Sequence, residues 1–311
     1  MAKRTIQRDP ELLAHQQWLG YLQPVGLVVA PAAMQEAGWV VTRSGSELIE
    51  RQERYREALE ALGANEDGDA DDRVLGFSSI ETLLVDHLGW SGDQIQSAPN
   101  LIEAYTRELS ELGETLQPTA LVPAASGDGA QLLVKELPSL TPLDQKVAGG
   151  DQHWRASSQE RFERLLRETG VEAGLLFNGS QLRLVVAPKG ESSGHITFTL
   201  KDLAEVSGRL MFSGLDLLLG QSHVFLDPDG YRLVDVLNKS RSYQAVVSNA
   251  LADQVLAALW DLLRGFERAD QLSQQRGTAL LGDIPDTAPE QLYGGLITVL
   301  MRLVFLLPDQ Q

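Results

Sequence analysis

Residues 174–188, GLLFNGSQLRLVVAP, constrain the fold of this chain more than any other stretch. Two apolar runs flank the pair Asn178-Gly179, and the second run ends at a proline. An Asn-Gly pair supplies the two positive-φ residues that a type I′ turn requires, so the pattern predicts a tight β-hairpin. The chain therefore contains a sheet, and the segments before this hairpin indicate what kind of sheet it is.

Strand and helix signals precede the hairpin in a regular order. The run PTALVPAASGDGAQLLVKELP predicts two strands joined by a turn of glycine, serine and aspartate. The run SSQERFERLLRETG predicts an amphipathic helix that ends at Gly170. Further upstream, Ser78 and Glu81 form a capping-box pattern, and a second helix is predicted over residues 98–113. The predicted fold class is α+β, with a mixed-sheet core and flanking α-helical regions.

Four regions follow from this pattern. Residues 1–62 are predicted to be mostly helical, and residues 63–73, GANEDGDADDR, form an acidic linker with no apolar side chain larger than alanine. Residues 74–200 hold the α/β domain with the hairpin. Residues 201–311 are predicted to be a helical connector.

Composition excludes several classes of site. The 311 residues include no cysteine, which rules out disulfides, zinc-thiolate sites and thiol nucleophiles. The five histidines show no metal-ligand spacing. No run is long and apolar enough for a membrane helix, and the first residues lack the apolar segment of a signal peptide. A soluble, cytoplasmic protein without membrane association is expected.

The charge is unevenly distributed along the chain. The formal net charge is −17, and residues 1–116 hold 9 basic against 20 acidic side chains, whereas residues 117–190 hold 8 of each. An acidic surface gains little from counterion release on DNA. Any contact with nucleic acid therefore requires a local basic face, and the acidic N-terminal region favours a protein partner.

Several segments together resemble a known family. The runs VDHLGW, PTALV, LLVKELP and GVEAGLLFNGSQLRLV, with the later runs SRSYQAVVSNALADQVLAALWDLLRGF and YGGLITVLMRLVFLL, cover most of the chain. They resemble the N-terminal region of bacterial restriction-modification and phage-defence polypeptides, which join a PD-(D/E)xK nuclease-like domain to an adenine-specific DNA methyltransferase. The resemblance implies a restriction-endonuclease-like core, and it implies magnesium and S-adenosylmethionine for the full-length family.

The nuclease positions that the resemblance selects are degenerate. Such enzymes need two or three carboxylates to hold magnesium and a lysine to help activate water. Here Thr119 stands at the aspartate position, Lys135 at the second carboxylate and Leu137 at the lysine. Glu136 is displaced by one residue, which on a strand turns its side chain to the opposite face. Glu81 matches the helix carboxylate of the family, although its capping role explains it equally well.

The methyltransferase signatures of the family are absent from the chain. There is no NPPY or DPPY tetrapeptide to hold a flipped adenine and no FxGxG for S-adenosylmethionine. No cofactor is therefore expected in this chain. The final run, YGGLITVLMRLVFLL, is apolar on nearly all sides, as in a helix inside a larger core. A truncated, non-catalytic fragment of such a methyltransferase is the predicted identity.

Two long helices supply the candidate DNA contacts. Helices are predicted over residues 201–220 and 239–267, and the arginines and the tyrosine near the ends of the second one are Arg241, Tyr243, Arg264 and Arg268. They could contact a DNA backbone, but arginines near a helix end also complement the helix dipole.

Two alternative functions remain open at this level. The first is a stand-alone acidic module that binds a basic protein, of which a DNA-mimicking inhibitor is a special case. The second is an active magnesium-dependent endonuclease that uses Glu81, and the missing ligands disfavour it.

Overall fold

The computed structural model describes residues 9–306 except 65–72, 126, 128, 150–153, 279 and 283. The chain divides into two compact units, Met1–Tyr243 and Gln244–Gln311. The division into four regions at residues 63–73 and 200 stays a prediction. Most of the acidic segment lies outside the described residues, and its two ends belong to paired strands.

The helices and strands are numbered separately in chain order. The helices are α1 (Pro10–Leu22), α2 (Pro31–Glu36), α3 (Ser46–Ala58), α4 (Ile80–Thr82), α5 (Pro99–Ala104), α6 (Ser158–Thr169), α7 (Leu200–Ala204), α8 (Arg209–Leu219), α9 (Leu233–Gln274), α10 (Ile284–Thr287) and α11 (Pro289–Leu306). The strands are β1 (Glu60–Ala64), β2 (Arg73–Gly76), β3 (Arg107–Leu109), β4 (Glu114–Leu116), β5 (Ala120–Pro123), β6 (Ala130–Glu136), β7 (Val147–Ala148), β8 (Arg155–Ala156), β9 (Ala173–Phe177), β10 (Gln181–Val186) and β11 (Gly194–Thr199).

A five-stranded mixed sheet in the order β11-β10-β9-β6-β5 organises the first unit. The hairpin β5–β6 is antiparallel, and helix α6 then crosses over so that β9 runs parallel to β6. Strands β9, β10 and β11 follow as an antiparallel meander. The predicted α+β class with a mixed sheet is confirmed.

Helix α6 begins and ends at the signals that its sequence carries. Ser157 and Glu160 form a reciprocal capping box at its start. Gly170 ends it at φ +77°, in the left-handed conformation that glycine adopts without strain.

Both faces of the sheet are covered by apolar side chains. Along β6, Leu132 and Val134 belong to one large cluster that also contains side chains of α1, α3 and α8. Leu133 points the other way, into a smaller cluster with Phe162 and Leu165 of α6. This alternation continues at the end of the strand and decides where its two charged residues lie.

The turn of the β9–β10 hairpin differs from the prediction. Asn178 and Gln181 close the turn, so the central residues are Gly179 and Ser180. Gly179 has φ +88°, whereas neither Asn178 nor Ser180 has a positive φ, which is the pattern of a type II′ turn. The side chain of Asn178 instead accepts hydrogen bonds from the backbone N–H groups of Ser180 and Gln181. The hairpin prediction is confirmed, but the type I′ prediction is wrong.

The helix predicted over residues 98–113 is also wrong. Helix α5 ends at Ala104, and strands β3 and β4 form a short antiparallel hairpin after it. Leu109 and Leu116 of this hairpin are buried in the cluster around α6. Burial against a distant helix thus outweighs the local helical pattern.

The start of α4 shows a smaller departure from the sequence pattern. Ser79, not Ser78, is the N-cap residue, and its side chain accepts a hydrogen bond from the backbone N–H of Glu81. The helix then widens into a π-helical turn, Leu83–His87. A second π-helical turn, Ser222–Leu226, follows α8.

Each edge of the central sheet carries one short additional bridge. Val25 exchanges two backbone hydrogen bonds with His195 of β11. Gln96 does the same with Leu121 of β5 at the opposite edge.

The second unit is built from most of α9 together with α10 and α11. Among its side chains whose burial is described, Leu296 is the buried apolar residue. Its large exposed apolar side chains are Val246, Val255, Leu256, Trp260, Leu272, Leu280, Ile284, Tyr293, Val299 and Met301. Within the described ranges, the helices lack a segment of the length and apolar character needed to cross a bilayer.

Candidate functional site

The degenerate nuclease positions meet where β5 begins and β6 ends. The Thr119 hydroxyl donates to the carbonyl of Val134 at 3.1 Å and accepts the backbone N–H of Glu136 at 2.9 Å. Thr119, which the resemblance places at the aspartate position, is thus part of the hydrogen bonding between the two strands. Its oxygen is used to hold the strands together.

Glu136 lies on the sheet face of Leu132 and Val134, as strand alternation requires. Its Oε1 accepts the backbone N–H of Ile80 at 3.4 Å, which places the carboxylate at the start of α4. Burial and the nearby charge of Glu81 raise the pKa of Glu136 above its ordinary value, and the Ile80 hydrogen bond offsets part of this effect. Glu81 and Glu136 are therefore close enough for their charges to interact.

Lys135 points to the opposite face of the same strand. Its Nζ donates to the carbonyl of Gln117 at 2.9 Å, and burial lowers the pKa of the ammonium. Leu137, at the lysine position of the family, packs against the cluster around α6. The sheet therefore separates the Lys135 ammonium from the Glu136 carboxylate.

This arrangement does not fit the magnesium site of a PD-(D/E)xK nuclease. Glu81 and Glu136 are the two carboxylates at the site, the third position is Thr119, and the lysine lies behind the sheet. The part of the chain that the structure describes holds no group of three or more histidine, aspartate or glutamate side chains placed to bind a metal ion. We therefore derive no metal-dependent step from these residues.

Two of the candidate DNA contacts are engaged within the first unit. Arg241 donates to Glu172 at 2.6 Å and lies 3.8 Å from Glu191. The Tyr243 hydroxyl donates to Glu36 at 2.6 Å, and this hydrogen bond raises the pKa of Tyr243. Their polar groups are bonded to carboxylates, which leaves fewer donors for a phosphate backbone.

The other two candidates lie in the second unit. Arg264 and Arg268 are exposed on α9 and form no ion pair with any residue that the structure describes. They lie well inside a helix that continues to Gln274, so the helix-end explanation of their charge does not apply to them.

A polar cavity that the sequence did not indicate lies between α3, α8 and the two π-helical turns. His87 and His223 both line it, with Arg51 and Asp216 joined by a bidentate ion pair at 2.5 and 2.8 Å. Burial lowers the pKa of His87. Its members are far apart in the sequence, and π-helical turns have no simple sequence signal, so spacing alone could not find it.

His223 is held in a fixed orientation at this cavity. Its Nδ1 is 2.7 Å from Oδ2 of Asp227, and the Trp39 indole N–H donates to the same oxygen at 3.3 Å. The rings of Trp39 and His223 are in contact, with their centroids 4.5 Å apart and their planes tilted by 41°. The contacts explain the position of the ring without a ligand.

Comparison with known proteins finds no match: no family model, no curated protein and no solved structure is significantly similar to this chain.

Proposed function

We propose that this chain is the N-terminal region of a restriction-modification or phage-defence adenine-specific DNA methyltransferase. Its α/β part is a degenerate, restriction-endonuclease-like domain that is retained for its shape and has no catalytic activity of its own. Magnesium and S-adenosylmethionine are implied only for the full-length family. DNA is the partner of the full-length protein, and the acidic N-terminal region is a surface for a protein partner.

The meeting of Glu81, Thr119 and Glu136 at one end of β5 and β6 carries this proposal. The resemblance selects Glu81, Thr119 and the end of β6 from separate parts of the sequence, and Glu136, one residue from the selected carboxylate position, lies with Glu81 and Thr119 at one end of two paired strands. The crossover helix α6 and the parallel strand β9 follow β6 in the order that a mixed nuclease-like sheet requires. A hairpin, a crossover helix and a parallel strand are common in other folds. The proximity of Glu81, Thr119 and Glu136 therefore supports the proposal more strongly than the order of the strands does.

The residue types at these positions support a domain without nuclease activity. Thr119 is used in pairing the strands, and a hydroxyl cannot replace an ionised carboxylate as a magnesium ligand of equal charge. The Lys135 ammonium lies on the other face of the sheet. A domain that is kept only for its structure is expected to lose its magnesium ligands and to keep its paired strands.

The intact mass of the product from the native locus, measured together with adenine methylation of the host DNA, tests the proposal. We expect a product longer than 311 residues. Disrupting its reading frame should remove N6-methyladenine from a specific DNA sequence. A product of 311 residues, with adenine methylation unchanged in the disrupted strain, would contradict the proposal.

DNA binding by the chain itself separates the proposal from an acidic protein-interaction module. We expect weak, salt-sensitive binding to a duplex, because the net charge of −17 opposes approach to DNA. Replacing both Arg264 and Arg268 by alanine should lower the salt slope by about one per lost phosphate contact. Arg276→Ala is the matched control, because Arg276 is also exposed in the second unit.

A failure to detect DNA binding would favour the acidic protein-interaction module. If fluorescence anisotropy detects no binding of the wild-type chain at about 20 mM salt, where the Debye length exceeds 20 Å, the arginines do not contact DNA. Magnesium-dependent cleavage that Glu81→Ala abolishes would instead show an active endonuclease.

A further inference from the structure

A second cavity lies behind the degenerate nuclease positions, on the α6 face of the sheet. Its volume is about 130 Å³, and it lies between the end of β6, strand β4 and helix α6. Its apolar walls are Leu116, Leu137, Phe162 and Leu165. All of its lining residues belong to the first unit.

Lys135 is the one basic side chain on the cavity wall without an acidic partner. Its ammonium donates to the carbonyl of Gln117 and forms no ion pair with any described carboxylate. An ammonium can donate three hydrogen bonds, so two of its N–H groups are available. The hydrogen bond to Gln117 is exposed to solvent, so a ligand from solvent can reach the ammonium.

The other two charged groups on the cavity wall neutralise each other. The Nε of Arg161 donates to Oε1 of Glu114 at 2.6 Å, and the remaining guanidinium nitrogens donate to the carbonyls of Val147 and Ala156. The second carboxylate oxygen of Glu114 is buried and has no hydrogen-bond partner among the described residues. The cavity therefore carries one uncompensated positive charge, in a protein whose net charge is −17.

The size and walls of the cavity define the rest of the ligand. An apolar cavity of about 150 Å³ holds a benzene molecule, so this one accepts an apolar group of about that size. The N-terminal end of α6, where Ser158 lines the cavity, adds a positive helix dipole on the same side. An anionic head group on an apolar body satisfies both the ammonium and the apolar walls.

We propose that this cavity binds a small monocarboxylate whose apolar body is about the size of a benzene ring, with Lys135 as its cationic partner. The site is separate from the degenerate nuclease positions, because the sheet lies between Lys135 and Glu136. It does not depend on the proposed methyltransferase context. The ligand class follows from the single charge and from the four apolar walls.

Burial lowers the pKa of Lys135 below its ordinary value of 10.5. A bound carboxylate favours the charged ammonium and raises that pKa again. Affinity is therefore expected to fall as the pH rises through the pKa of Lys135. Glu114 and Arg161 are the other charged groups that face the ammonium from β4 and α6.

Titration of the 311-residue chain with benzoate, followed by ligand-observed NMR and by thermal unfolding, tests the site. We expect saturable binding at millimolar concentration and a rise in Tm with benzoate. Lys135→Met keeps a long apolar side chain and removes the charge, and it should weaken benzoate binding at least about tenfold. Uncharged benzyl alcohol should likewise bind the wild-type chain at least about tenfold more weakly than benzoate. Lys135→Arg should retain binding.

Lys189→Met is the matched control, because Lys189 is exposed outside the cavity, and it should leave binding unchanged. No saturation up to about 20 mM benzoate would overturn the proposal, since affinity would then be too weak for a specific site. Equal binding by wild type and Lys135→Met, or by benzoate and benzyl alcohol, would also overturn it. If Lys135→Met does not fold, the benzyl alcohol and pH measurements on the wild type decide the question.

Discussion

In the first unit the five-stranded sheet is covered by apolar side chains on both faces, whereas the helices of the second unit leave most of their described large apolar side chains exposed. The first unit buries residues from α1 to the start of α9 in one large cluster and a second set around α6. In the second unit, Leu296 is buried and residues such as Trp260 and Tyr293 are more than half exposed. Helix α11 of the second unit is at least as apolar as α8 of the first, yet α8 buries most of its side chains, whereas Leu296 is the buried one among the described side chains of α11.

The difference shows that apolar content alone does not build a core. The first unit buries even a charged side chain that has partners: Arg183 is 4% exposed, and it donates to Asp144, Gln159 and Thr197. Such a group is stable only where neighbouring elements supply acceptors. The helices of the second unit have fewer neighbours within their own unit, so their stability should depend more on local helix formation.

Removing a phenylalanine ring from each unit should give the largest single loss of stability. Phe162→Ala leaves a cavity beside β9 and should destabilise the first unit by about 4 kcal/mol. Phe266→Ala removes a half-buried ring from α9 and should cost about 1 kcal/mol. Hydrogen exchange of peptides from β9 and α11, read by mass spectrometry, measures each unit separately. Equal losses would show that the second unit has a packed core of its own.

Adding a methyl group to a glycine in each unit should give smaller individual effects that are opposite in sign between the two units. A Cβ at Gly76 would lie 2.1 Å from the carbonyl oxygen of Gly179, so Gly76→Ala should cost about 3 kcal/mol. A Cβ at Gly295 in α11 meets no atom within 4 Å, and Gly295→Ala should stabilise that helix by about 1 kcal/mol. Urea unfolding followed by circular dichroism measures both. A destabilising Gly295→Ala would mean that this helix face is covered.

The smallest effect is expected at Glu136, inside the first unit. Its raised pKa means that the ionised carboxylate disfavours the folded state. Glu136→Gln should therefore increase the stability of the fold at pH 7. The gain should be less than about 1 kcal/mol, because solvent screens the charge of Glu136. The gain should disappear as the pH falls below the ordinary value of 4.5, where the carboxyl is protonated in both states. Glu108→Gln, at an exposed position of β3, is the control for thermal unfolding at both pH values. A gain that persists at pH 4 would assign the effect to packing.

Local signals in the sequence account for the elements that were predicted correctly. The β5–β6 and β9–β10 hairpins and helix α6 each carry their own turn or capping residues, and all three are present. The errors lie where distant residues decide. Residues 98–113 contain a helical pattern, yet the second half pairs as β3 and β4 because Leu109 and Leu116 bury their side chains against α6.

The candidate site also contains features that local sequence predicts and features that only the fold determines. The separation of Lys135 from Glu136 could be predicted, because side chains alternate along any strand. The acidic partners of Arg241 and Tyr243 could not, because Glu172 and Glu36 approach them only through the fold. The cavity of His87 and His223 joins residues from separate elements, and no spacing in the sequence indicates it.

The single bridges at the two sheet edges limit edge-to-edge pairing between copies of this protein at high concentration. An unpaired edge strand is a template for pairing with another chain, and it leads to aggregation. Val25 pairs with the second residue of β11 and Gln96 with the second residue of β5, each through two hydrogen bonds, so part of each edge is already paired. Resistance to self-association thus depends partly on the two short segments that carry these bridges. Proteolytic loss of either segment would open a sheet that is otherwise intact.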